Sequence, residues 1–170
     1  AVGTEAARAP LDQAIISEKI SQYWRVKVVE VTGSTQEDLA VAVTIGDAHS
    51  GDVIATEFQS KGRGRLDRTF EAAPNSALMF SFYFEPQRDK GYWSFLPMLA
   101  GIAVHDALRS LDDSVEVTVK WPNDIFIGEK KTAGLLAQTS GNGVVIGIGI
   151  NVGMTKDELP VPTATSLALH

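Results

Sequence analysis

The sequence contains no cysteine and only three histidines among its 170 residues. The absence of cysteine excludes disulfide bonds, thiolate nucleophiles and cysteine-ligated zinc or iron–sulfur centres. The histidines, at positions 49, 105 and 170, are too scattered to have the spacing of metal ligands. No apolar run reaches the roughly 18–20 residues of a membrane span, and residues 1–10 lack the pattern of a signal peptide. We therefore expect a cytoplasmic protein without a membrane partner.

Positive charge is also scarce, since 15 lysines and arginines face 21 aspartates and glutamates, for a net charge of −6. This acidic balance argues against broad binding to nucleic acids, which favour a basic surface. The hydrophobic fraction of 44% and the charged fraction of 21% are typical of a globular domain. The length predicts one domain over residues 11–170, and the Ala-rich residues 1–10 are predicted to be disordered.

Hydrophobic periodicity predicts the order of helices and strands. Helices are predicted over residues 11–23, 34–45 and 92–111, and strands over 25–31, 53–58, 77–84, 117–120, 125–127, 133–138 and 144–150. The elements mix without regular βαβ alternation. The predicted fold class is therefore α+β, with a mixed, largely antiparallel sheet and helices packed on one face.

A basic loop stands out in this acidic chain: four cations lie between Lys61 and Arg68 and are interleaved with Gly62 and Gly64. Glycines let main-chain N–H groups approach an anion, and arginines bind phosphate or carboxylate through two parallel hydrogen bonds. The loop has neither the Gly-Lys-Ser/Thr of a Walker loop nor the third glycine of a dinucleotide fingerprint. It predicts an anion site, with a solvated basic loop or an RNA-binding stretch as the alternatives.

Three further segments carry polar groups at element ends. In Lys120-Trp121-Pro122-Asn123-Asp124, the Trp-Pro pair fixes a bend, and Lys131 follows across a turn, where its charge suits a transferring phosphoryl group. The alternative is a plain β-hairpin. The strand Gly147-Ile148-Gly149-Ile150-Asn151 has alternating glycines, which indicate close approach of a ligand or a bulged core strand. The segment 33–36 offers hydroxyls at a helix N-terminus to a small polar ligand, and a simple helix cap is the alternative.

In combination and order, these segments resemble the catalytic domain of biotin–protein ligases, specifically the actinobacterial type without a DNA-binding domain. The matching motifs are Ser34-Thr35-Gln36, Gly62-Arg63-Gly64-Arg65 with Arg68 and Phe70, Lys120-Trp121-Pro122-Asn123-Asp124 with Lys131, and Gly147-Ile148-Gly149-Ile150-Asn151-Val152. The resemblance covers about residues 26–169. It implies a class II synthetase-like biotin/lipoate ligase fold without the small C-terminal β-domain, and no DNA partner.

The resemblance implies a two-step ligase reaction. Biotin and ATP, normally with Mg²⁺, give biotinyl-5′-AMP and pyrophosphate, and the acyl group then passes to a specific lysine of a biotin carboxyl carrier domain of an acyl-CoA carboxylase. The residues implied to contact biotin are Ser34, Thr35, Gln36, Gln59, Gly62, Arg63, Gly64, Arg65 and Lys131. Those implied to contact ATP or the adenylate are Arg68, Phe70, Asn123, Gly149 and Asn151. The implied catalytic residues are Lys131, Arg65, Arg63 and Asp124, and Asp124 is also the candidate Mg²⁺ ligand.

Three positions depart from the family pattern. Gln36 replaces the usual asparagine, Asp67 replaces a loop glycine, and Phe70 replaces a tryptophan that would pack against adenine. Phenylalanine still stacks, though more weakly. The rival functions are a lipoate- or octanoate-transferring relative, a non-catalytic module that binds biotin or the adenylate, and, more distantly, a nucleic-acid binder using the Arg-Gly loop.

Overall fold

Seven strands form one sheet in the computed structural model, which describes residues 8–65 and 68–170. The strands are β1 (Arg25–Thr32), β2 (Asp52–Gln59), β3 (Ala77–Phe84), β4 (Val117–Lys120), β5 (Asp124–Ile127), β6 (Lys130–Ser140) and β7 (Gly143–Asn151). Their order across the sheet is β1-β2-β3-β7-β6-β5-β4. β1 and β2 are parallel and every other neighbouring pair is antiparallel. The predicted mixed, largely antiparallel sheet is confirmed.

Within the described residues, three α-helices accompany the sheet: α1 (Gln13–Lys19), α2 (Thr35–Ile45) and α3 (Leu96–Leu111). Asp12 caps α1 by accepting a hydrogen bond from the Ile15 amide. The helix predicted over 92–111 divides into a 3₁₀ turn, Lys90–Phe95, and α3, which begins with a proline in its first turn. None of the helices in the described part of the chain has the length and hydrophobicity required to cross a bilayer.

The helices lie on both faces of the sheet. Leu78, Phe80, Phe82 and Phe84 of β3 pack in the large core cluster that includes residues of α3. Tyr83, on the other face of the same strand, packs in a second cluster with residues of α2. The prediction that the helices share one face is therefore wrong for α2. The reason is that β3 is apolar at almost every position, so that both of its faces require a cover.

The N-terminal segment lies against the fold from Arg8 onwards. The Arg8 guanidinium donates to both carboxylate oxygens of Glu158, at 3.1 and 2.6 Å, and to the Gly153 carbonyl at 2.6 Å. The hydrogen bond from Arg8 is the main cause that lowers the pKa of Glu158 to about 2. Disorder was expected over residues 1–10, but residues 8–10 are placed, and residues 1–7 lie outside the described part of the chain.

Candidate active site

A cavity of about 270 Å³ lies between the N-terminus of α2, the basic loop after β2 and the turn between β4 and β5. Residues of β3, β6 and β7 form its floor. The sequence-predicted residues that line it are Ser34, Thr35, Gln36, Gln59, Arg63, Gly64, Arg65, Arg68, Phe70, Asn123, Asp124, Lys131 and Gly149. Four segments that are distant in sequence thus meet at one site, while Gly62 and Asn151 lie outside its lining.

One end of the cavity is built from uncharged polar groups. The amide and hydroxyl of Thr35 both donate to Gln59 Oε1, at 2.8 and 3.1 Å, and the same hydroxyl lies 2.8 Å from Ser81 Oγ. Ser34 is buried at the helix N-cap but makes no side-chain capping bond, so the expected cap interaction is absent. Gln59 takes the place of that cap by accepting from the first amide of α2.

Ser81 is a lining residue that the sequence reasoning missed. It is fully buried on β3, between Phe80 and Phe82. The available signal was a small polar side chain between two phenylalanines of a mostly apolar strand, because such a group is buried only where it finds a hydrogen-bond partner. Its partner, Thr35, belongs to a motif that the sequence did identify.

The glycines of β7 make room for two side chains of this same chain. A Cβ atom on Gly149 would lie 2.7 Å from two ring atoms of Phe70, and one on Gly147 would overlap the Gln36 side-chain oxygen. Carbon atoms in contact normally lie about 3.5–4.0 Å apart. Side chains of this chain therefore approach these glycines closely, and Phe70 and Gln36 occupy the space over the floor.

The basic loop is closed by hydrogen bonds between its own backbone groups. Its backbone closes through bonds from the Gly64 amide to the Arg68 carbonyl, at 2.7 Å, and from the Phe70 amide to the Gly62 carbonyl, at 3.0 Å. A Cβ on Gly62 would collide with the Phe70 carbonyl. Gly62 therefore packs against the Phe70 backbone within the loop and does not line the cavity. Residue Asp67, where the sequence departs from the family pattern, lies outside the described residues.

Two loop arginines contact residues of other elements. Arg63 Nη1 lies 3.2 Å from Glu37 Oε1, in a pair with both side chains about half exposed. Arg65 Nη1 donates to Asn123 Oδ1 at 3.2 Å, and the Asn123 amide nitrogen donates to the Leu135 carbonyl at 2.7 Å. Through these two hydrogen bonds Asn123, which follows the cis Trp121–Pro122 peptide, links the basic loop to β6.

Lys131 and Asp124 form an ion pair in the cavity, with Nζ 2.7 Å from Oδ1. This oxygen is shielded from solvent and accepts no well-aligned hydrogen bond, so the lysine charge is what compensates it. Gly134 leaves room for the pair, since a Cβ there would lie 3.2 Å from Lys131 Nζ. The positive charge of Lys131, which the sequence predicts for this site, therefore lies in the cavity beside the Asp124 carboxylate.

A β-bulge directs Lys131 into the cavity. Ile125 pairs with Ala133 but Phe126 pairs with Lys131, so that Thr132 is an extra residue on β6. Side chains alternate along a strand, and without the extra residue Lys131 and Gly134 would point to opposite faces. Bulges shift this alternation and are common beside active sites. Here the bulge brings Lys131 to the face that carries Gly134 and Leu136.

Asn151, expected on the adenine side, lies outside the lining of the cavity. It is buried, and its amide nitrogen donates to the Thr165 carbonyl at 2.9 Å. Asp124, the candidate Mg²⁺ ligand, belongs to no preformed group of metal-binding side chains among the described residues. The described residues contain no group of three or more His, Asp or Glu side chains placed to hold a metal, and Asp124 is paired with Lys131. The residues present therefore do not fit a magnesium ion held by the protein alone.

Comparison with known proteins gives a consistent set of similarities. The sequence model of the biotin/lipoate A/B protein ligase family matches residues 28–154. The biotin–[acetyl-CoA-carboxylase] ligase of Mycobacterium tuberculosis is 34% identical over 167 residues, covering 94% of this chain and 62% of that protein.

Solved structures agree in fold. The biotin protein ligase of Aquifex aeolicus in complex with biotin and ATP has a TM-score of 0.73 at 32% identity, covering 84% of this chain and 59% of that one. The Leishmania major enzyme with biotinyl-5-AMP has a TM-score of 0.71 at 25% identity, covering 85% and 63%. The chain thus spans less than two thirds of the length of these relatives.

Proposed function

Because the chain belongs to the biotin/lipoate A/B protein ligase family, we propose that its cavity joins biotin to ATP as biotinyl-5′-AMP and then passes biotin to a carrier lysine. The observation that carries this proposal is the Lys131 ammonium in the same cavity as the arginines of the basic loop and a wall of uncharged polar groups. The first step brings two anions together, the biotin carboxylate and the ATP phosphates. A site for it requires fixed positive charge at their meeting point.

The uncharged end of the cavity supports biotin as the acid. The hydroxyls of Ser34, Thr35 and Ser81 and the Gln59 amide offer donors and acceptors without net charge. Such groups complement a neutral ureido ring, whose carbonyl accepts and whose N–H groups donate. The relatives from A. aeolicus and L. major are described with biotin and with biotinyl-5-AMP, respectively. The biotin carboxylate would then lie toward Lys131 and the arginines.

In the first step, a biotin carboxylate oxygen bonds to the α-phosphorus of ATP while the bond from that phosphorus to the leaving pyrophosphate breaks. Lys131 would lie between the carboxylate and the α-phosphate and stabilise the charge shared by their oxygens. Arg63 and Arg65 would hold the carboxylate or the adenylate phosphate, with Arg68 assisting, and Phe70 and Asn123 would contact the nucleotide. Asp124 holds the Lys131 ammonium in place before substrates arrive.

In the second step, the amine of the carrier lysine attacks the acyl carbon, AMP leaves with the electrons of the broken C–O bond, and the amine loses a proton. The adenylate is a mixed anhydride that water would hydrolyse, so closure of the basic loop over it would protect it. We propose a biotin carboxyl carrier domain of an acyl-CoA carboxylase as the acceptor, by analogy with the M. tuberculosis relative, a biotin–[acetyl-CoA-carboxylase] ligase. Mg²⁺ would enter bound to the ATP phosphates, since the described residues provide no separate site for it.

The proposal is tested by incubating the protein with biotin and ATP labelled at the α-phosphate. We expect a biotin-dependent AMP adduct and an equal amount of pyrophosphate, and, once a biotin carboxyl carrier domain is added, biotin on that domain. Octanoate and lipoate in place of biotin should give at most traces of adduct. Absence of an adduct at saturating biotin would refute the enzymatic proposal, and biotin binding without an adduct would indicate a non-catalytic binding module.

A further inference from the structure

We infer that Asn151 is a positioning residue for Lys131 and acts through the segment 163–165; this inference rests on the proposed function of Lys131. The regular pairing of β6 with β7 ends at Ala133 and Ile150, so the backbone of Lys131 has no partner on β7. The segment 163–165 takes that place. The Lys131 amide donates to the Thr163 carbonyl at 2.9 Å, and the Thr165 amide donates to the Lys131 carbonyl at 2.8 Å.

Asn151 connects the segment 163–165 to the end of β7 through a side-chain hydrogen bond. Its amide nitrogen donates to the Thr165 carbonyl at 2.9 Å, and both residues are almost completely buried. The backbone amide and carbonyl of Thr165 thus have different partners: the amide donates to Lys131 and the carbonyl accepts from Asn151. A buried carbonyl that loses its donor is costly, so the chain would rearrange around it.

The position of Lys131 depends on the hydrogen bonds that join it to the segment 163–165, because other local restraints on Lys131 are weak. Thr132, the extra residue of the bulge, is fully buried and its hydroxyl makes no hydrogen bond. The Lys131 side chain is 41% exposed. Its backbone is held by Phe126 of β5 on one side and by the segment 163–165 on the other. Release of the second side would let the ammonium shift, and a shift of about 1 Å in a catalytic group can reduce a rate about 10²-fold.

The test is a double-mutant cycle on the rate of biotin adenylation. Asn151→Ala should lower this rate about 10- to 100-fold, while the biotin concentration for half-saturation changes less than about twofold. In a Lys131→Met background, the same substitution should cost less than about twofold, because the group it positions is gone. Asn151→Asp keeps the side-chain volume but loses the donor, and it replaces Asn151→Ala in the cycle if that variant does not fold.

Ser166→Ala is the matched control. It removes a buried hydrogen bond next to the segment 163–165, from Ser166 Oγ to the Met154 carbonyl at 2.6 Å, and does not alter a residue that bonds to Lys131. We expect it to leave the rate of adenylation within about threefold of the unaltered protein. An equal loss in Ser166→Ala and Asn151→Ala, or the same loss from Asn151→Ala with and without Lys131, would overturn the inference.

Amide hydrogen exchange separates this inference from the proposed function. Asn151→Ala should accelerate exchange at the Lys131 and Thr165 amides at least tenfold, whereas Ser166→Ala should not. If the unaltered protein forms no adenylate, the proposed function fails, and the link from Asn151 to Lys131 is still decided by exchange. Unchanged exchange at both amides would overturn the link even in an active enzyme.

Discussion

Replacing Lys131 by methionine removes the ammonium that lies 2.7 Å from Asp124 Oδ1 and keeps most of the side-chain volume. A single preorganised charged or polar donor in an active site contributes about 2.7–4 kcal/mol to the transition state, so we expect biotin adenylation to slow about 10²- to 10³-fold. Affinity for biotin should fall much less, since the uncharged end of the cavity is not altered.

The same substitution has a smaller effect on stability. The Lys131 and Asp124 side chains are 41% and 27% exposed, and ion pairs in such partly solvated positions contribute about 0.2–1 kcal/mol. Asp124 Oδ1 is itself shielded, and leaving it uncompensated adds about 1–3 kcal/mol. A domain with about 5–15 kcal/mol of stability remains folded after such a loss. The loss of rate therefore cannot come from unfolding.

The assay is the initial rate of biotin-dependent pyrophosphate release, measured beside the free energy of unfolding in urea. Lys130→Met is the matched control, because Lys130 is the adjacent lysine and is exposed outside the cavity lining. It should leave the rate within about twofold. A loss smaller than tenfold in Lys131→Met, or an equal loss in the control, would refute the catalytic role of Lys131.

Three further predictions concern other contacts. Phe70→Ala should raise the KM for ATP about tenfold or more in steady-state adenylation, because stacking of a base on an aromatic ring contributes about 1–3 kcal/mol; an unchanged KM would contradict a nucleotide contact. Asn123→Ala removes the acceptor of one loop arginine, at 3.2 Å, and should slow adenylation about tenfold without a comparable loss of stability in urea. Arg8→Gln should flatten the pH dependence of stability. The pKa of Glu158 is lowered from 4.5 to about 2, so the unaltered protein loses stability as the pH falls through this window. The free energy of unfolding in urea is measured for both proteins at pH 5 and pH 3. An equal change between the two pH values in both proteins would contradict the pairing.

The strands of the sheet were largely predictable from sequence. The prediction for β3, residues 77–84, coincides with the observed strand, since its apolar and aromatic residues lie between turn-forming segments. β4 is also as predicted. The side of the sheet that each helix covers was not predictable from periodicity, because a strand apolar on both faces leaves that choice to the connections. α2 therefore lies on the face opposite α3.

The composition of the cavity was predictable, but the way its residues are held was not. The motifs identified the charged groups because each motif contains several polar or charged residues and because the motifs occur in a characteristic order along the chain. The bulge at Thr132 depends on pairing with β5, and the hydrogen bonds at Lys131 come from a segment more than thirty residues away. The motif that contains Asn151 likewise gives no sign of its hydrogen bond to the Thr165 carbonyl. Such long-range contacts leave no local pattern in a single sequence.

The central claim is that one cavity holds biotin and the α-phosphate of ATP on either side of the Lys131 ammonium. A crystal structure of the protein with biotin and a non-hydrolysable ATP analogue tests it most directly. We predict the biotin ring beside Thr35 and Gln59, and Lys131 Nζ within about 3.2 Å of both a carboxylate oxygen and an α-phosphate oxygen. Biotin bound outside this cavity, or a Lys131 side chain still paired only with Asp124 in the ternary complex, would contradict the account.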